Sequence, residues 1–503
     1  MEGEEAIHLE YAGFVAFASN IVGIFTGVIF SMMTVRRLTP EEFGSWQLIG
    51  NLIPFFTVAG APISTLATRF ASRGIKAAKT GLLISSAFSL AAVVLWFPAT
   101  LMIFSSSEIH IAAVVFSLAS LQILSIYFTD YIAAVVTAHK PQLVGYSLTF
   151  SEITKVVAAY LLVVQARLGL SGAILCTVIT YYVRLVSLFL MGKNYLGGEL
   201  KREHVSRFMK LYWLPLFSVL QGRISALDVV LITLFTRSTA PAGLYYSATL
   251  VGSIVSYSYA LASGLYPSLL RGGGSDDVED SIKLVYMFLI PMGVGALVIP
   301  DIILNVLRPE YVKASTTLVV IIISNLLGGL SNIVDAVLLG TERSDSEQEL
   351  KLSKLVRSNL FRVPLVYYIN SAAYLLAISL TMLFLGPEAE PWSISTAWAT
   401  VSLLVWLPFF SLRLLMSKRS MKFKFPYRSV AKYLACALLM ALVVAMTRDR
   451  GELPREVEDA LVQMLRPVFV GGVVYLTSLY IVDAYFRKVL AGAARRVRKL
   501  FNF

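Results

Sequence analysis

Long apolar stretches constrain this chain more than any other feature. They recur at about 11–34, 45–67, 81–104, 110–137, 143–165, 170–192, 212–234, 243–266, 284–306, 315–340, 364–386, 393–416, 429–447 and 465–484. Roughly 20 consecutive apolar residues suffice for a helix to cross a bilayer with every backbone polar group bonded internally. Fourteen such helices account for nearly all the hydrophobic residues, which are 57% of the 503. Charged residues are 15% of the chain, against roughly 25% in soluble domains. The expected fold class is therefore all-α: a polytopic membrane protein of about 14 transmembrane helices, with little chain left for any large domain outside the bilayer.

Lysine and arginine outnumber the acids 43 to 31, a net charge of +12. With no soluble basic face to hold it, this excess does not point to nucleic acid. Basic residues beside apolar spans instead set topology and meet anionic lipids. With the N-terminus placed in the cytoplasm, 28 of the 43 fall on the cytoplasmic connections and tail. Both termini are accordingly predicted to be cytoplasmic, in a multi-pass protein of the cell membrane. The stretch from Gly197 to Trp213 interleaves Lys201, Arg202, Arg207 and Lys210 with Val205, Phe208, Met209 and Leu211. That spacing predicts an interfacial helix on the headgroups, and the tail from Tyr485 to Phe503 reads the same way.

The chain also repeats itself. Thr39-Pro40-Glu41-Glu42-Phe43-Gly44 follows the first run, and Thr239-Ala240-Pro241-Ala242-Gly243 follows the seventh. Each glycine precedes an aromatic by two residues. The sixth run carries Cys176-Thr177-Val178-Ile179 and the twelfth Ala399-Thr400-Val401-Ser402. Their larger offset is roughly matched by a hydrophilic insertion from Thr341 to about Lys354. Six spans per repeat make the halves parallel, related by an axis along the membrane normal. The expected organisation is a six-helix bundle with its interfacial linker over 1–210, a second six-helix bundle over 211–425, and two added spans with a basic tail over 426–503.

Three stretches resemble the polysaccharide-transporter branch of the multidrug/oligosaccharidyl-lipid/polysaccharide flippase superfamily. The first is Arg37-Leu38-Thr39-Pro40-Glu41-Glu42-Phe43-Gly44. The second runs from Asp228 through Ala242-Gly243-Leu244-Tyr245 to Tyr266-Pro267-Ser268-Leu269. The third is Pro291 to Pro300 with Arg308-Pro309-Glu310-Tyr311 and Ala314. The resemblance covers about 10–420 and rests on packing and turn motifs. It implies a flippase that moves lipid-linked oligosaccharide or polysaccharide precursors from the inner to the outer leaflet by alternating access. The implied partner is a polyprenyl-phosphate-linked glycan, with glycan-assembly enzymes as candidate partners.

A flippase must carry a phosphate-bearing headgroup through hydrocarbon, and ionisable residues inside spans are costly enough to mark function. Arg184, Arg223, Lys155 and Arg69 are the candidate substrate-binding cations, arginine being suited to phosphate by its planar, bidentate fork. Asp130 and Asp335 are candidate ion-coupling acids. Glu152 and Asp228 are structural or cavity acids. Glu152 and Lys155, three apart, share a helical face. Arg223 and Asp228, five apart, lie about 140° apart on a regular helix. Pro54 and Pro62 with Gly60 make the second span the one best placed to bend.

No catalytic residue, metal site or cofactor is expected. Cys176 and Cys436 lie inside apolar runs, and His8, His110, His139 and His204 are scattered, without ligand spacing. The acidic start lacks the basic region of a cleavable signal peptide. A membrane glycosyltransferase or glycan polymerase would need a sizeable loop domain, and the outer loops are too short. The interior acids leave a cation-coupled multidrug exporter as the alternative.

Overall fold

The computed structural model describes residues 15–491, except 16–18, 20, 21, 24, 73, 106–112, 263, 264, 271, 342–357, 387, 450, 452 and 455. Part of the first run, His8, His110, the insertion beyond Thr341 and the tail from 492 lie outside these residues. The described chain is all-helical, without strands; one isolated bridge pairs Ala77 with Gly198. It divides into two compact units, 1–243 with 378–391, and 244–377 with 392–503.

The first unit begins with α1 (residues 25–37), α2 (Pro40–Thr57), α3 (Gly60–Ser72), α4 (Ala78–Ser105) and α5 (Ala113–Thr137). It continues through α6 (Gln142–Ala159), α7 (Gly169–Gly192), α8 (Arg202–Leu211), α9 (Trp213–Ile224) and α10 (Asp228–Thr236). The start of α2 is dictated locally. Thr39 caps it, Pro40 occupies its first turn, and the Thr39 and Glu42 side chains bond reciprocally to backbone N–H groups.

The second apolar run is a bent pair: α2 and Gly60–Ala71 meet at 52°. Pro62 has no N–H to offer the carbonyl one turn back. The Tyr127 hydroxyl donates to the Phe56 carbonyl at 2.8 Å, and the Tyr212 hydroxyl to Ala59 at 2.9 Å. Gly60 is needed here, since a Cβ would overlap the Tyr127 ring. Two carbonyls at the break thus find partners from other helices, as hydrocarbon demands.

The second unit comprises α11 (Ala240–Ser256, from Leu244 onward), α12 (Leu265–Leu270), α13 (Ser275–Val298), α14 (Pro300–Leu307) and α15 (Ser315–Gly340). The first part of α16 (Asn359–Leu385) follows, then α17 (Pro391–Ser420), α18 (Tyr427–Thr447), α19 (Val457–Val482) and α20 (residues 484–491). The two added spans, α18 and α19, pack on α13 and α14 through Met287, Ile302, Tyr433, Met440 and Tyr475. Pro291 frees the Met287 carbonyl, and the Tyr475 hydroxyl takes it at 2.6 Å.

Among the described residues, eleven helices are long and apolar enough to cross a membrane, or twelve if the bent pair is one span. Large apolar side chains on their outer faces, such as Val94, Met102 and Phe384, are exposed, as suits contact with lipid tails. Of the other two expected runs, the first lies partly outside the described residues. The eighth is not continuous: α11 stops at Ser256 and the chain tightens into a 3₁₀ segment, Tyr257–Ala262. The Ser253, Ser256 and Ser258 hydroxyls each bond the carbonyl three residues back, which competes with the α-helical pattern. The stretch expected to be interfacial forms α8, with Phe208 buried and Arg202, Met209, Lys210 and Leu211 exposed.

Candidate functional site

In the first unit, four of the charged residues singled out inside apolar runs fall in one neighbourhood on three adjacent helices. Glu152 and Lys155 lie one turn apart on α6, with Lys155 Nζ 2.5 Å from Glu152 Oε2. Thr26 on α1 also donates to Glu152, and Lys155 Nζ sits 5.7 Å above the Phe30 ring. Cys176 on α7 donates to the Lys155 carbonyl at 3.3 Å. Asp130, from α5, is exposed on its helix and lies within Coulombic reach of Arg184 on α7. Tyr181, one turn before Arg184, is within reach of Asp130, Arg184 and Glu152.

The charges in this cluster are unequally committed. Lys155 is neutralised by Glu152. Arg184 lies inside a span, and its Nε is buried with no hydrogen-bond partner. A buried guanidinium N–H with nothing to bond is costly, and an anion placed beside it would recover that cost.

The other two cations have different settings. Arg223 is half-buried in the last turn of α9, and its side chain forms no hydrogen bond or ion pair among the described residues. Arg69 is exposed in the last turn of α3. The regular helix assumed for Arg223 and Asp228 is interrupted by a 3₁₀ turn, Ser225–Leu227. Asp228 then opens α10, buried, with its carboxylate accepting from the Val229 N–H at 2.7 Å. That is the setting of an acid satisfying free N–H groups at a helix start.

In the second unit Asp335 on α15 is held by a residue the sequence reading passed over. Arg413 on α17 is 1% exposed and places Nη1 at 2.6 and 2.8 Å from the two Asp335 oxygens. Its Nη2 donates to Ser331 at 3.0 Å. Tyr367 on α16 donates to Asp335 at 2.5 Å, also contacts Arg413 Nη1, and lies under the guanidinium at 4.4 Å. The acid expected to couple an ion thus already carries an internal cation.

The same unit contains an apolar groove of about 480 Å³, lined by Phe288, Met292, Met440, Val468, Tyr475 and Leu476 among others. It runs along α13 where the added α18 and α19 pack. No group of three or more His, Cys, Asp or Glu suited to a metal occurs among the described residues.

No protein-family model and no curated protein matches the chain. Solved structures do. A lipid II flippase, MurJ, in an inward closed conformation superposes with a TM-score of 0.66 at 15% identity, over 95% of this chain and 99% of that one. An inward-facing multidrug resistance MATE family transporter of the MOP superfamily gives 0.59 at 10% identity, over 80% and 98%. At these identities the likeness is one of fold, and the chain has the membrane-spanning helical fold that these two transporters share.

Proposed function

We propose that the chain is a membrane transporter of the flippase type, moving a lipid-linked oligosaccharide or polysaccharide precursor from the cytoplasmic to the outer leaflet by alternating access. The observation that carries this reading is Arg184, a guanidinium inside a span with a buried, unpartnered Nε. A diphosphate-linked headgroup supplies the hydrogen-bond acceptor that this Nε lacks. The apolar groove along α13, α18 and α19 supports a cargo with a hydrocarbon part. Six spans per repeat and the clustering of basic residues support a cell-membrane protein with cytoplasmic termini.

The test uses purified protein in liposomes with a fluorescent polyprenyl-diphosphate glycan. Wild-type protein should accelerate transfer between leaflets, and Arg184→Gln should slow it by about tenfold or more while leaving the melting temperature unchanged, the loss expected for one charged hydrogen bond. Transfer no faster than in empty liposomes, across several lipid donors, would refute the reading.

A cation-coupled multidrug exporter is the second reading, and Asp130 favours it, being an exposed carboxylate inside a span. Expression in an efflux-deficient strain would then raise resistance to cationic dyes, and Asp130→Asn would abolish the gain. Asp335 speaks against this reading, because Arg413 already neutralises it.

A further inference from the structure

The first unit holds a pocket that the interior charges do not line. The chain following α3, α5 and α7 encloses about 360 Å³ above a floor formed by Phe70, Phe208 and Tyr131. Phe70 and Phe208 meet edge to face at 4.8 Å, which ties α8 to the floor. The Tyr131 hydroxyl is taken by the Ala78 carbonyl at 2.7 Å. Lys76, His139 and Asn194 stand on the rim.

The rim is built rather than loose. Ala77 pairs with Gly198 in the isolated bridge, and Gly198 has φ +132°, where an added Cβ would overlap the Lys76 carbonyl. Only glycine fits there without strain. Gly74, also at positive φ (+72°), turns the chain back towards the bridge. His139 is fixed from two sides. Its Nδ1 donates to the Val135 carbonyl at 3.0 Å and its ring stacks on Tyr195 at 4.8 Å, so Nε2 is the nitrogen left for a ligand, and it donates to a phosphate when the ring is the doubly protonated imidazolium.

The acids near this rim are already occupied. Glu199 accepts from Lys201 at 2.9 Å, and that bond holds its carboxyl below the usual carboxylate range. Glu203 accepts from Arg207 at 2.7 Å. Lys76 is exposed, with no ion pair among the described residues. A cation, an imidazole and a carboxamide therefore line one cavity together with the aromatic rings of Phe70, Phe208 and Tyr131.

We propose that this pocket binds a phosphate ester, with its phosphate on Lys76, His139 and Asn194 and its organic part over Phe70 and Phe208. Charge-assisted bonds from several donors suit a phosphate better than a single carboxylate. The neighbouring α8 exposes Arg202, Met209, Lys210 and Leu211, the composition of a helix at an anionic lipid surface. The ester is either a lipid headgroup or a soluble metabolite, and the two sources separate experimentally.

The test uses the purified full chain in two arms. Glycerol 3-phosphate is titrated in detergent, and phosphatidic acid is compared with phosphatidylcholine in nanodiscs. Saturable binding should weaken about tenfold or more in Lys76→Ala. It should also weaken in Gly197→Leu, which fills the mouth without removing a charge and finds no atom within 4 Å of its Cβ. Lys313→Ala, an exposed charge just before α15 and outside the pocket, should bind as wild type. Binding confined to the phosphatidic acid arm identifies a membrane lipid, and binding in the glycerol 3-phosphate arm identifies a soluble ester. No saturable binding in either arm, or equal losses in Lys76→Ala and Lys313→Ala, would overturn the proposal.

Discussion

Arg413 and Asp335 carry opposite charges at the same buried place, and each is tolerable there because of the other. The guanidinium also satisfies Ser331 and faces the Tyr367 ring, so its removal strands a carboxylate in an apolar surrounding. Arg413→Met should lower stability by about 3–5 kcal/mol, the cost of breaking a buried pair by deleting one partner. The double variant Arg413→Met with Asp335→Leu should recover most of the loss. Thermal unfolding in detergent measures both, and a double variant as unstable as the single one would show that the pair is not the source. Arg413 was illegible as a partner because it lies three residues inside the end of its apolar run, where arginine ordinarily snorkels. Asp335 was visible as a costly charge, but its neighbour was not. Glu152 and Lys155 were legible as a pair because one helix turn joins them, whereas the nearness of Asp130 to Arg184 required two separate helices.

At the scale of elements, the two glycines aligned by the internal repeat touch each other's segments. A Cβ on Gly44 would overlap the Thr239 carbonyl, and one on Gly243 would overlap the Pro40 carbonyl. Thr239 also donates to the Glu41 carbonyl at 2.8 Å and meets Ser45 at 3.1 Å. The starts of α2 and α11 therefore pack backbone against backbone. Gly44→Ala and Gly243→Ala should each destabilise by about 1–3 kcal/mol, since rigid backbone opposes the added methyl. Melting temperatures read this directly, and unchanged values would show that the contact is slack. Pro291 shows a second device, in which the carbonyl freed by a proline is taken by a tyrosine from another helix. Tyr475→Phe should cost about 1–3 kcal/mol by leaving the Met287 carbonyl buried and unbonded, read in the same melts. The kink positions were visible as prolines in apolar runs, but the tyrosines that complete them were not.

For the whole molecule, the charge distribution predicts which face each loop occupies. The two cysteines among the described residues are free and buried, so an introduced cysteine can be read against a low background. Ser206→Cys on α8 should react with an impermeant maleimide only after the membrane is opened. Asp449→Cys, exposed after α18, should react in intact cells. The reverse pattern would invert the topology. By itself the sequence determined that the chain is a set of membrane-crossing helices, roughly where most of them lie, and that one glycine-bearing turn recurs. These are local properties, because a hydrocarbon-length apolar run has few ways to satisfy its backbone other than as a helix. Only the tertiary structure decided which charges neutralise each other, which carbonyls the tyrosines take, and that Lys76, His139 and Asn194 share one rim. Those outcomes depend on how helices far apart in sequence are placed side by side, and an apolar run leaves the identity of its neighbours open.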